Sequence, residues 1–208
     1  MHYFKAMVGY NYEESRMKNV KVLRNGLIFD DAEDLNMALG QTINTEGGYS
    51  KWRISGGFFR LNYVFNDRYL LEVNGRLDGS SKFPSDSQYA FFPSVSAGWR
   101  VSQEPFWKVP EEIFSNLKVR ASYGSLGNGN IDPYSFQELF KIKQSSLVLN
   151  GIRPQYTGQP AVIPLGLTWE KSTTLNLGLD FAFLSNRLQF SGDIYQRKTT
   201  DMFTVGMS

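Results

Sequence analysis

Three carboxylates, Glu72, Asp78 and Asp180, have the clearest claim to chemistry in this sequence. Two carboxylates set a few ångströms apart can cleave a glycosidic bond, one as acid and the other as base or nucleophile. Arg76, Lys118 and Arg120 offer them a simpler role as charges paired and solvated on one polar face. A Ser-His-Asp triad needs a histidine base, and His2, at the extreme terminus, is the single histidine. A metal site needs several ligands at matched spacing, and one histidine without any cysteine does not supply them. The glycine-rich stretch GSLGNGN, from Gly124 to Asn130, lacks the Lys-Ser/Thr pair of a phosphate-binding loop, and no helical pattern follows it. Its Gly and Asn residues mark a turn. Side-chain chemistry therefore points away from catalysis, a cofactor or a metal.

The elements that carry these charges alternate with period two. Phe91, Pro93, Val95, Ala97, Trp99 and Val101 oppose Phe92, Ser94, Ser96, Gly98, Arg100 and Ser102. Leu117, Val119, Ala121 and Tyr123 oppose Lys118, Arg120, Ser122 and Gly124. Such alternation predicts strands with one apolar and one polar face. Seven are expected, at about 2–13, 51–65, 68–78, 91–102, 117–125, 168–183 and from 188 onward. Their polar faces carry Glu72, Arg76, Asp78, Arg100, Lys118, Arg120, Asp180 and Asp193. The second strand changes phase: Trp52, Ile54 and Phe58 are even-numbered, but Phe59, Leu61, Tyr63 and Phe65 are odd. A β-bulge at Gly56-Gly57 would account for the switch.

Asn66-Asp67 and the stretch Leu184 to Arg187 read as tight turns, and EPFWKVPEE as a short turn-rich connection. The other three connections are long and polar, at about 14–48, 79–90 and 126–167. In the first, LIFDDAEDLNMALG predicts a short helix capped by Asp30 or Asp31. In the last, SFQELFKIK and SSLVLNGI are expected to pair as a hairpin. Tyr49, Asn128, Asn130, Tyr134 and Tyr156 are candidate ligand contacts, because loops on a rigid scaffold carry function. All short connections fall at one end and all long ones at the other, the asymmetry of a transmembrane barrel.

Composition agrees. At 208 residues the length suits one domain. Hydrophobic residues make up 41% and mean hydropathy is −0.33, with no run of the roughly 20 apolar residues that a spanning helix needs. A barrel strand needs only about ten alternating residues, and the aromatic share of 15% suits interfacial girdles. With 22 basic and 20 acidic residues there is no electrostatic case for nucleic acid. The absence of cysteine excludes a disulfide framework. The first residues alternate like a strand and do not form a signal peptide. Seven strands is an odd number and leaves two unpaired edges, so an incomplete barrel is expected. Two rival readings stay open, a small or oligomeric pore or adhesin and a soluble β-sandwich that binds carbohydrate.

DGSSKF, FFPSVSAGWR, LKVRASYGSLGN, TWEKSTTLNLGLDF, LSNRLQFSGDIY and QRKTTDM together resemble the C-terminal part of the barrel in SusC/RagA family TonB-dependent outer-membrane receptors. Lys82 stands where that family more often has Arg, and GNGN where it often has GNQN. The resemblance implies an all-β, antiparallel, up-and-down transmembrane β-barrel segment with long extracellular loops. It implies one partial barrel domain over 1–208, without plug domain, signal peptide or remaining strands, cut from a barrel of about 22 strands. The implied function is not enzymatic. It is active import of a glycan or peptide across the outer membrane of a Gram-negative, Bacteroidetes-like cell. Implied partners are a SusD-like surface lipoprotein, outer-membrane lipid and, through the plug alone, the TonB complex; nucleic acid is not among them.

Overall fold

Alternating residues pair into one continuous antiparallel sheet. The computed structural model describes residues 1–29, 31, 34–40, 43–138, 140, 142–160 and 166–202. The strands in chain order are β1 (His2–Arg24), β2 (Ile43–Phe65), β3 (Tyr69–Ser80), β4 (Tyr89–Arg100) and β5 (Phe114–Asn128). They continue with β6 (Ile142–Gln144), β7 (Gln155–Thr157), β8 (Glu170–Phe183) and β9 (Leu188–Thr200). Seven of them form a half-barrel in the order β1-β2-β3-β4-β5-β8-β9, and β6 pairs with β7 as a separate ribbon. The expected seven-stranded, all-β architecture is therefore present. Asn66 and Asp67 turn the chain with φ of 49° and 60°, and Leu184, Ser185 and Asn186 do so with 53°, 53° and 66°. Asn and Asp tolerate this left-handed region, which is why they occupy tight hairpins.

Four expectations need correction. The stretch 14–48 is not mainly loop: β1 and β2 continue as a ribbon from the Glu14–Arg53 pair to the Arg24–Ile43 pair. The ladder there is held by backbone pairing and by charge, as in the Lys21–Glu46 ion pair at 3.6 Å, so hydrophobic alternation could not reveal it. No bulge interrupts β2, because Ser55, Gly56 and Gly57 pair in unbroken register with Tyr12, Asn11 and Tyr10. The apolar side chains change face while the backbone does not. The short helix is a 3₁₀ turn at Leu35–Met37, and its cap is Asp34, which accepts from the Asn36 N–H at 2.9 Å. Asp31 precedes that cap, and Asp30 lies outside the described residues. Finally, the hairpin in 126–167 pairs Ile142–Gln144 with Gln155–Thr157, and SSLVLNGI forms its tip, closed by the Leu149–Ile152 bridge.

The register assigns each side chain to a face. Odd residues of β2 to β5 and β8 share one face with even residues of β1 and β9. On it Leu61, Leu71, Val95, Val119 and Leu177 stand side by side and exposed, with no second sheet over them among the described residues. A β-sandwich would cover that face. The opposite face is polar, and a hollow of about 510 Å³ runs across it from Lys5 on β1 to Asn176 on β8. Where β4 meets the 79–90 connection and the chain leading into β8, a small core forms from Phe83, Phe92, Leu167 and Trp169.

Candidate functional site

The polar face is a network of ion pairs set out by the ladder. Cross-strand neighbours on one face sit within reach of long side chains, so opposite charges meet. Arg60 of β2 donates to Glu72 of β3 at 2.8 Å, and Asn74 donates to the same carboxylate at 2.8 Å. Arg76 holds both oxygens of Asp78 at 2.8 and 2.6 Å and reaches Asn11 of β1 at 3.1 Å. Arg120 of β5 grips Asp180 of β8 with two bonds, at 2.7 and 2.9 Å, and extends to Asp193 of β9 at 3.2 Å. Ser191 donates to Asp180 at 2.8 Å, and Asn176 donates to Asp193 at 3.0 Å. Lys118 lies directly opposite Asp180 in the ladder. Arg100 stands apart, at the turn end, where it binds Asp67 at 3.0 Å.

Glu72, Asp78, Asp180 and Asp193 are thus each committed to a guanidinium, the arrangement of a structural ion pair and not of an acid–base couple. Arg60, the partner of Glu72, is absent from the sequence-predicted set. Its strand phase was masked by Trp52, Ile54 and Phe58, which made the even positions of β2 read as apolar. Asn11, Asn74, Asn176 and Ser191 bring further donors and acceptors to the same surface.

At the loop end the wall changes character. The Phe83 and Phe92 rings pack on Trp169, with centroids 4.9 and 5.7 Å away, and the Trp169 indole donates to the Gln88 carbonyl at 3.0 Å. A side chain at Gly129 would meet Trp169 at 2.7 Å, which explains a glycine inside GNGN. Tyr134, with φ of 68°, crosses to β2, where its hydroxyl accepts from the Lys51 N–H at 3.0 Å. Asn128 accepts from the Asn130 N–H at 3.1 Å and donates to Glu170 at 3.4 Å. Asn130 then borders a second hollow of about 500 Å³ with Trp52, Ile54, Lys82 and Trp169, above the Arg76–Asp78 pair. The Lys82 ammonium lies 4.9 Å over the Trp52 ring, a cation–π contact. Tyr49 sits on the apolar-side face of β2 and Tyr156 on β7, both exposed, so the structure does not bring them to this hollow.

Two carboxylates outside the central band are held ionised by their neighbours. The Arg53 guanidinium, followed by Arg16 and Lys51, keeps Glu14 at a pKa of about 2. Hydrogen bonds from the Tyr69 hydroxyl and the Trp99 indole, with Arg68 nearby, hold Glu104 below the usual carboxylate range. Glu104 anchors the turn-end rim, where Tyr69 and Trp99 stack with centroids 6.5 Å apart.

The chain is similar to known proteins in sequence and in fold. The family described as TonB dependent receptor-like, beta-barrel matches residues 4–208. TonB-dependent receptor P26 of Formosa agariphila is 41% identical over 156 residues, 74% of this chain and 15% of that protein. TonB-dependent receptor SusC of Bacteroides thetaiotaomicron is 38% identical over 154 residues, 70% of this chain and 15% of that protein. The RagAB peptide importer in its closed-closed state superposes with a TM-score of 0.81 at 26% identity, over 97% of this chain and 22% of the matched chain. The chain therefore spans between 15% and 22% of the length of these relatives.

Proposed function

The chain belongs to the TonB-dependent receptor-like β-barrel family, and from that premise we propose that it builds part of the wall of an outer-membrane nutrient importer. In this reading the exposed apolar face lies against lipid and the ion-paired face lines the lumen, where Glu72, Arg76, Asp78, Lys118, Arg120, Asp180 and Asp193 meet water and cargo. Arg100 serves the periplasmic rim. The short turns face the periplasm and the long connections face outward.

The height of the apolar band carries the proposal. On β3 it runs from Tyr69 to Gly79, opposite Trp99 to Tyr89 on β4. About ten residue steps at about 3.3 Å each span about 33 Å along the strand. A tilt of about 40° reduces this to about 25 Å, the thickness of an outer-membrane apolar belt. Rings flank it at both edges, Tyr69 and Trp99 at the turn end and Tyr12 and Tyr89 at the loop end. Tyrosine and tryptophan favour that interface, having an apolar body and a polar tip.

The likeness to SusC and to a RagAB peptide importer supports a glycan or peptide as cargo, delivered by a SusD-like lipoprotein at the loop end. Import is energised by the TonB complex through a plug domain. Asn128, Asn130 and Tyr134 shape the mouth, and Tyr49 and Tyr156 add exposed rings around it. No catalytic step is part of this function.

Fractionation of the host tests the proposal, with an antibody raised against residues 14–48. A band in the outer membrane, shifting in mobility on heating and exposed to protease on intact cells, is expected. Recovery in the soluble fraction without detergent overturns the wall reading. Growth of a deletion strain on defined glycans and peptides then separates the two cargo classes.

A further inference from the structure

Beyond the loop-end rim, the lipid-side face turns from aromatic to positive. The lipid-side residues of β1 run Tyr12, Glu14, Arg16, Lys18, and those opposite on β2 run Ser55, Arg53, Lys51, Tyr49. Among the described strand residues in the three rows beyond Tyr12, Arg16, Lys18, Lys51 and Arg53 share this face with a single acid, Glu14. The lumen-side face at the central band is instead balanced, each of its carboxylates meeting a guanidinium.

Glu14 does not neutralise the group. Arg16 and Arg53 both reach it through Nε, and Lys51 through Nζ at 3.6 Å. Three cations around one carboxylate leave a surplus, and the terminal Nη donors of both guanidinia remain for another acceptor. These side chains are half exposed, at 63% for Arg16 and 52% for Arg53. One row is two residues, about 7 Å along the strand. The charges therefore begin about 7 Å beyond Tyr12, the depth at which lipid headgroups sit next to an interfacial ring.

We propose that this belt binds the phosphate groups of lipid headgroups in the outer leaflet, most tightly at the Arg16–Lys51–Arg53 cluster. Arginine forks match phosphate oxygens bidentately. The neighbouring hydrocarbon lowers the effective dielectric and strengthens each contact. The inference rests on the membrane reading above. It adds that the protein selects phosphorylated lipid as its boundary and is held at one depth by it.

The test uses the full-length protein that carries this chain, purified from outer membranes in mild detergent. Native mass spectrometry follows titration with diphosphorylated lipid A, with diacylglycerol and with inorganic phosphate. Adducts with lipid A alone are expected. The pair of substitutions Lys51→Ser and Arg53→Ser should weaken lipid A binding by about 30-fold, roughly fivefold for each charge removed. The charge-keeping pair Lys51→Arg and Arg53→Lys should retain it, and an unchanged heat-shift shows that each variant still folds. Equal lipid A binding by the serine and charge-keeping variants overturns the belt. So does equal binding of diacylglycerol, and equal binding of inorganic phosphate overturns the headgroup assignment. A protein found in the soluble fraction would instead overturn the membrane reading itself, an outcome read before any lipid is added.

Discussion

The two halves of β2 share one backbone and contradict each other in side chains. From Phe59 to Phe65 the apolar residues other than Val64 point to the lipid side, and Arg60 and Asn62 point inward. From Tyr49 to Phe58 the order inverts: Trp52, Ile54 and Phe58 point inward, and Lys51, Arg53 and Ser55 point out. The register is continuous through both. An apolar phase therefore reports what lies on each side of a strand, not the path of the backbone. In the membrane setting proposed above, the lower half has hydrocarbon outside and water inside. In the proposed setting the upper half has polar headgroups and water outside, and inside it borders the loop-end hollow that Trp52 and Ile54 share with Trp169.

Removing the centre of the aromatic core at the loop end, across the hollow from the upper half, should have the largest effect. Trp169→Ala takes away the ring that touches both Phe83 and Phe92, and truncating a buried aromatic costs about 3–5 kcal/mol. The loss should be local. Protease should cut the 79–90 loop in the variant and spare it in the parent, while the heat-shifted mobility of the barrel stays. If both loops and barrel melt together, the two halves are one cooperative unit and the contrast drawn on β2 fails. A charge on the lower half is next. Leu61→Arg places a cation in the middle of the lipid band, opposite Ala6 and Val73, at a cost of about 2–4 kcal/mol. Ser55→Arg, three rows higher on the same face, should cost little. Urea unfolding of both in vesicles checks the difference, and equal costs would remove the membrane boundary from between them.

How much of this was legible in the sequence follows the same division. β3 and β4, expected at about 68–78 and 91–102, were readable to within two residues at each end because their apolar and polar faces alternate strictly. So were the turns, since Asn66 and Asp67 advertise their left-handed backbone. The upper ribbon was not readable. Its lipid-side positions carry Glu14, Arg16 and Lys18, so a reader tracking hydrophobicity sees loop. The bulge expected at Gly56-Gly57 came from assuming that the apolar face never changes. Pairing of Asp78 with Arg76 and of Asp180 with Arg120 agrees with the polar-face reading. Arg60 escaped because its phase on β2 was obscured. The Trp169–Phe83 contact joins residues too far apart in the chain for periodicity to connect them.

A smaller effect is expected on the lumen side. Asp180→Ala leaves Arg120 with Asp193 as its remaining carboxylate partner. Water on that face compensates much of the loss, so the cost should be about 1 kcal/mol. The same urea titration measures it. A cost as large as that of Leu61→Arg would mean that the polar face is dry, and the passage would need another location.

The smallest effect is one of pH, and it belongs to the upper half alone. Glu14 is held at about 2 by Arg53 first, then Arg16 and Lys51. A depressed folded-state value stabilises the ribbon fully above the ordinary glutamate range, and this contribution is lost as pH falls toward about 2. Between those limits the unfolded segment would take up a proton that the folded one refuses. Carboxylate infrared bands of protein labelled at glutamate should therefore keep an ionised component well below pH 4, and Glu14→Gln should reduce it by the share of one residue while leaving that of Glu104. Disappearance of that component near the ordinary glutamate value would show that the three cations are directed elsewhere. The outward face of the ribbon would then be an ordinary solvated surface, and the contrast between the halves of β2 would rest on their inward faces alone.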